Sequence, residues 1–207
     1  MPATMRTQLA LALRAAERGS ALAALAGGWL ILAAAALVAV DVALRKLATT
    51  TVGGADELSG YALAIGSTWS FAFVMLNRGN VRIDALYQYL PRRVAAVCDL
   101  LAVLALLAFA SLVAWHGWGV VSYAWTIGSR SNTSLAVPLA VPLALWWTGY
   151  AWFVACGILL LVRSVMALAA GDLAAVNRLI GARSAQEEAA DELQVATESL
   201  GSRASAS

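Results

Sequence analysis

Four stretches of this chain are each long and apolar enough to cross a lipid bilayer as a helix, and they constrain its fold more than any other feature. A spanning helix needs about 20 mostly apolar residues. Residues 21–44, 58–77, 94–118 and 141–162 meet that length. Each is apolar on all sides, unlike the one-sided stripe of a surface helix. Charged residues make up only 13% of the chain, against about a quarter in an ordinary soluble domain. The sequence therefore predicts an all-α membrane protein with four transmembrane helices.

The segments around these helices are short or distinct in composition. The first twenty residues alternate apolar and basic positions, with Leu9, Leu11 and Leu13 against Arg6, Arg14 and Arg18. That pattern predicts an interfacial helix. Arg14, Glu17 and Arg18 interrupt it before the apolar run, so a cleaved signal peptide is not expected. Residues 45–57 form a polar loop containing Gly53-Gly54. In residues 78–93, Val81, Ile83, Leu86 and Leu90 mix with Arg82, Asp84 and Gln88, which suggests a second amphipathic helix closed by Pro91. Residues 119–136 read as a longer loop, after which Pro138 and Pro142 stiffen or kink the start of the fourth helix. The transmembrane domain spans residues 21–165. Residues 166–207 are a tail with a capping-box pattern, Ser184 to Glu187, at the head of an acidic stretch.

Basic residues orient the chain. With the N-terminus inside, Arg6, Arg14, Arg18, Arg78, Arg82, Arg92, Arg93, Arg163, Arg178, Arg183 and Arg203 fall on the inner side. Only Arg45, Lys46 and Arg130 fall outside. The excess of cytoplasmic Lys and Arg in natural membrane proteins predicts both termini in the cytoplasm. Trp115, Trp118, Trp125, Trp146 and Trp147 gather near the outer interface, the level that amphipathic rings favour.

Charges near hydrocarbon are costly, so each requires a reason. Asp41 and Arg45 stand four residues apart and share a helix face. They either form a local ion pair at the helix end or meet a partner protein. Asp56 and Glu57 open the second helix, where the macrodipole favours acids, and Glu57 could also reach Arg45 across the loop. Asp84 follows Arg82 in the inner connection, at headgroup level. Asp99 lies inside the third helix and either snorkels toward Arg92 or Arg93 or faces another helix. The central thirds of all four helices lack an acid, which argues against a coupling-ion site within this chain alone. The small residues Ala23, Gly27, Gly60, Gly149 and Gly157 could let helices approach closely.

Enzyme chemistry has no foothold. His116 is the only histidine, Cys98 and Cys156 lie inside apolar runs without a CxxC, and no phosphate-binding glycine loop is present. No cofactor, metal or nucleic acid is expected.

The stretch from Gly54 through Asp56, Glu57 and Tyr61, followed by a helix and then Gly79-Asn80-Val81-Arg82-Ile83-Asp84, resembles the small membrane subunit (DctQ type) of tripartite ATP-independent periplasmic (TRAP) transporters. Arg45, Glu57, Val81, Arg82 and Asp84 match that family's pattern, and Ser134 through Pro138 to Pro142 is similar to its approach to helix four. Asn80 departs from the histidine common there. The resemblance covers roughly residues 20–165. It implies a non-catalytic subunit in the bacterial inner membrane. Such a subunit scaffolds a large permease subunit and helps dock a periplasmic solute-binding protein, for ion-gradient-driven uptake of an organic acid. The alternatives are the small subunit of a tripartite tricarboxylate transporter, or a self-sufficient four-helix transporter using Asp99.

Overall fold

A computed structural model describes residues 3–79 and 91–181, together with Leu193 and Thr197. The described part is all-helical. It comprises α1 (Ala3–Ala48), α2 (Ala55–Leu76), α3 (Arg92–Ile127), α4 (Ala140–Ala169) and the short α5 (Leu173–Ile180). The first four are long and apolar enough to cross a membrane, as the hydrophobic pattern predicts. The amphipathic connection after Gly79 and the acidic tail lie outside the described residues.

Three helices exceed their predicted bounds, α4 by running on to Ala169 from an expected end at residue 162. The N-terminal segment expected as an interfacial helix is continuous with the first span. At 1.5 Å per residue, α1 is about 69 Å long, more than twice the roughly 30 Å hydrocarbon core. Its first turns therefore project beyond the core, where they pack rather than float. Leu13 and Ala16 are buried with Leu160, Val176 and Ile180. The third helix also runs on past its predicted end, through the segment expected as a loop. Ser122 and Thr126 turn their hydroxyls onto the carbonyls of Gly119 and Ser122, at 3.0 and 2.8 Å, so these polar residues stay inside the helix. It stops at Gly128, whose φ of 63° supplies the left-handed residue that caps a helix end. Pro142 sits in the first turn of α4, where a missing N–H costs nothing.

The helices pack in the order α1, α2, α4, α3, so α2 and α4 fill the middle and α1 and α3 flank them. Lipid offers no hydrophobic drive for helices to associate, and close backbone approach takes its place. A Cβ on Gly27 of α1 would stand 2.8 Å from the Gly66 carbonyl oxygen of α2, and one on Gly66 would stand 2.8 Å from the Gly27 oxygen. On α4, a Cβ at Gly149 would strike Thr68 of α2, and one at Gly157 would strike Leu107 of α3. Gly60, named with these as a possible contact residue, faces open space.

Indole N–H groups tie each of the other three long helices to α4. Trp69 of α2 donates to the Leu145 carbonyl of α4 at 3.0 Å. Trp147 of α4 donates to the Ala114 carbonyl of α3 at 2.8 Å. Trp152 of α4 donates to Ser20 Oγ of α1 at 2.9 Å.

Gly66→Leu is expected to lower the thermal midpoint of the detergent-purified protein, because overpacking a tight contact costs about 1–3 kcal/mol. Gly60→Leu on the same helix is expected to leave it unchanged or slightly higher. Size-exclusion traces after a heating series measure both.

Candidate functional site at the two-loop end

The up-and-down path places the α1–α2 and α3–α4 loops at one end of the bundle and the N-terminus with α5 at the other. At the two-loop end the candidate residues form two clusters.

The first centres on Asp41. Its carboxylate is 1% exposed although it lies about 10 Å short of the end of α1. A charge so placed must be satisfied by the protein itself. Oδ2 accepts from Arg45 Nε at 2.9 Å and also from Nη2. Oδ1 accepts from the Thr51 hydroxyl and the Val52 backbone N–H, both at 2.7 Å. The chain therefore turns back at the end of α1 and folds over the carboxylate. That path requires Thr49 to adopt a φ of 52°, a costly conformation for a β-branched residue, and the bonds from residues 51 and 52 hold it there. Arg45, in contrast, keeps 54% of its side-chain surface exposed.

The second cluster centres on Glu57, in the first turn of α2. Its carboxylate accepts from the Tyr61 hydroxyl one turn on and from the Thr133 hydroxyl in the α3–α4 loop. Thr133 in turn shares a hydrogen bond with Ser131 at 3.0 Å. This loop is closed by Leu139 N–H on the Ser129 carbonyl at 2.9 Å and by Ser131 N–H on the Val137 carbonyl at 3.0 Å. Around it, Arg130 donates to the Ala136 carbonyl at 3.1 Å. Gly54 brings the two loops together. Its φ of 82° suits glycine, and a Cβ there would lie 2.2 Å from Leu135 Cδ1.

Arg45 and Glu57, which the sequence allowed to meet across the loop, take different partners: Arg45 turns down to Asp41 and Glu57 turns sideways to Thr133. Asp56 is exposed at the start of α2, and its charge adds to the field at Arg45. Asp99 is at the opposite end, about two turns inside α3, and is 2% exposed. Arg82 and Asp84 lie outside the described residues. Thr51, Val52 and Thr133 were not singled out from the sequence. Nothing in their local pattern marks them, because their roles depend on contacts ten or more residues away. Tyr61 had a signal, its i,i+4 spacing from Glu57.

Among the described residues, no three His, Cys, Asp or Glu side chains gather as a metal site would require. The fold and the two clusters define a multi-pass, four-helix membrane protein whose polar groups fix its own loops. The sequence profile of the DctQ component of the tripartite ATP-independent periplasmic transporters matches residues 34–171, more than half of the chain, and the chain belongs to that family. It is thus a membrane component of a TRAP transporter, resident in the inner membrane. A search of curated proteins finds no individual match.

Asp41→Ala removes the acceptor for Arg45, Thr51 and Val52 together. Hydrogen–deuterium exchange of the Val52 amide is expected to quicken about tenfold or more, as for the loss of a hydrogen bond to a charged acceptor. Exchange in the middle of α2 is expected to stay as in the wild type.

Proposed function

We propose that this chain is the non-catalytic small subunit that scaffolds the large permease subunit and helps dock a periplasmic solute-binding protein. The complex would drive uptake of an organic acid with an ion gradient. In this reading both termini are cytoplasmic and the two-loop end faces the periplasm, as the distribution of Arg and Lys favours. The observation that carries the docking role is the construction of that end. Asp41 fixes one loop, Glu57 ties it to the other, and the Arg45 side chain is left half-exposed on the resulting surface. A fixed surface with an oriented cation can engage an acidic patch on a partner without first paying to order its loops.

The distribution of acids supports a supporting rather than an ion-carrying role. Asp41 lies toward one end of its helix and Asp99 toward the other end of the bundle, and neither occupies the midplane where coupling ions bind in secondary transporters. The exposed apolar face of α1, with Leu22, Trp29 and Leu32, supplies a lipid-level surface along which a larger subunit can pack.

Arg45→Glu is expected to reduce uptake by whole cells to about a tenth of wild type, since like charges facing each other across an interface cost several kcal/mol. Membrane abundance of the chain and its co-purification with the large subunit are expected to remain. Wild-type uptake in that variant would restrict Arg45 to its local ion pair. Recovery of the wild-type chain alone from mild detergent would remove the subunit reading.

A further inference from the structure

At the end of the bundle opposite the two loops, α4 does not simply run out into solvent. Gly171, with a φ of 75°, reverses the chain after α4. Backbone N–H groups of Gly171 and Asp172 bond back to the carbonyls of Leu168 and Ala167 at 2.9 and 3.0 Å. Asp172 then caps α5 by accepting from Ala175 N–H at 2.9 Å. Val176 and Ile180 are buried and hold α5 across the end of α4. A cavity of about 170 Å³ remains between α5, the last turns of α4 and the projecting N-terminal part of α1, lined by Leu9, Arg163, Met166, Ala170, Asp172 and Ala175. That is about ten times the space a single water requires.

Two properties of this cavity bear on what it could hold. The first is depth. Arg163 is 23 residues beyond the start of α4, about 35 Å along the axis, which is where a roughly 30 Å hydrocarbon core gives way to headgroups. The second is charge. Arg163 and Asp172 line the same cavity, and no salt bridge joins these two described side chains. One cation and one anion among the described lining residues of a single pocket, beside Leu9, Met166 and Ala170, match a ligand that carries both charges and an acyl chain.

We propose that this cavity binds a phospholipid with a primary-ammonium zwitterionic headgroup, of the phosphatidylethanolamine class. The Arg163 guanidinium presents its fork to the phosphodiester. The Asp172 oxygen not engaged by Ala175 accepts from the ammonium. Leu9, Met166 and Ala170 line the path of the chain. An anionic headgroup is disfavoured by the Asp172 charge. A choline headgroup offers no N–H to that carboxylate, and the described lining residues include no aromatic ring of the kind that holds quaternary ammonium groups. The lipid would lock α5 and the start of α1 onto α4, so the site acts as a lipid clamp at the inner end of the bundle. This inference is independent of the docking role proposed for the other end.

The test uses the full chain, purified in mild detergent, given equal amounts of phosphatidylethanolamine, phosphatidylcholine and phosphatidylglycerol with matched acyl chains, and analysed by native mass spectrometry. The wild type is expected to retain phosphatidylethanolamine about fivefold or more over the other two, the scale of a charge-assisted hydrogen bond. Asp172→Asn keeps the α5 cap, because Asn caps as well as Asp, and is expected to lose the preference over phosphatidylcholine. Arg163→Gln is expected to lower retention of all three lipids. Equal retention by the wild type, a preference for phosphatidylglycerol, or an undiminished preference in Asp172→Asn would each overturn the proposal. So would loss of the bound lipid when the large subunit co-purifies, since protein would then fill the cavity.

Discussion

In hydrocarbon no water can satisfy a polar group, so each one near the membrane core must find its partner within the protein. Asp41 is the place where this constraint shapes the chain most. A carboxylate enclosed short of the helix end requires donors. The protein supplies them by folding the next loop back over it, at the expense of a left-handed Thr49. That fold-back sets where α2 begins and turns Glu57 toward Thr133. The geometry of the two-loop end thus follows from one charge that could not remain unsatisfied.

The same requirement explains the tryptophans. Five of them were expected as an interfacial belt; of these, Trp115, Trp118 and Trp125 are exposed on the bundle surface. The indoles of Trp69, Trp147 and Trp152 have a further function, each donating its N–H across a pair of helices. Two of these three bonds begin on α4 and the third ends there. With the glycine contacts at Gly149 and Gly157, they make α4 the helix through which the rest of the bundle is joined. α1, joined mainly to α2, is left with a broad apolar face exposed to lipid or to a larger subunit.

The two ends of the bundle are built for different surroundings. One presents short loops cross-tied by carboxylates, with a guanidinium exposed. The other presents projecting helix ends, a reversing turn and the cavity between Arg163 and Asp172. Such asymmetry is what the two proposed roles require, a soluble partner at one end and lipid headgroups at the other.

The sequence by itself determined the number of spanning helices, since length and lack of charge in an apolar run suffice to place it in the bilayer. Residue order also marked Asp41 with Arg45, because i,i+4 spacing on a helix brings side chains together whatever lies around them; the same spacing of Glu57 and Tyr61 was there to be read but was not. The extra turns of α3 and the continuity of α1 were hidden, because Ser and Thr read as loop until their local bonds are seen, and a basic amphipathic stretch reads as interface until the packing of Leu13 and Ala16 is seen. Thr51 and Thr133 gave no signal, because a threonine's partner depends on which distant segment is folded against it. The order α1, α2, α4, α3, the pairing of Gly27 with Gly66 and the cavity beneath α5 were decided only by tertiary structure. Lipid exerts no preference among apolar faces, so which helices meet is settled by close fit and by polar groups that must be satisfied.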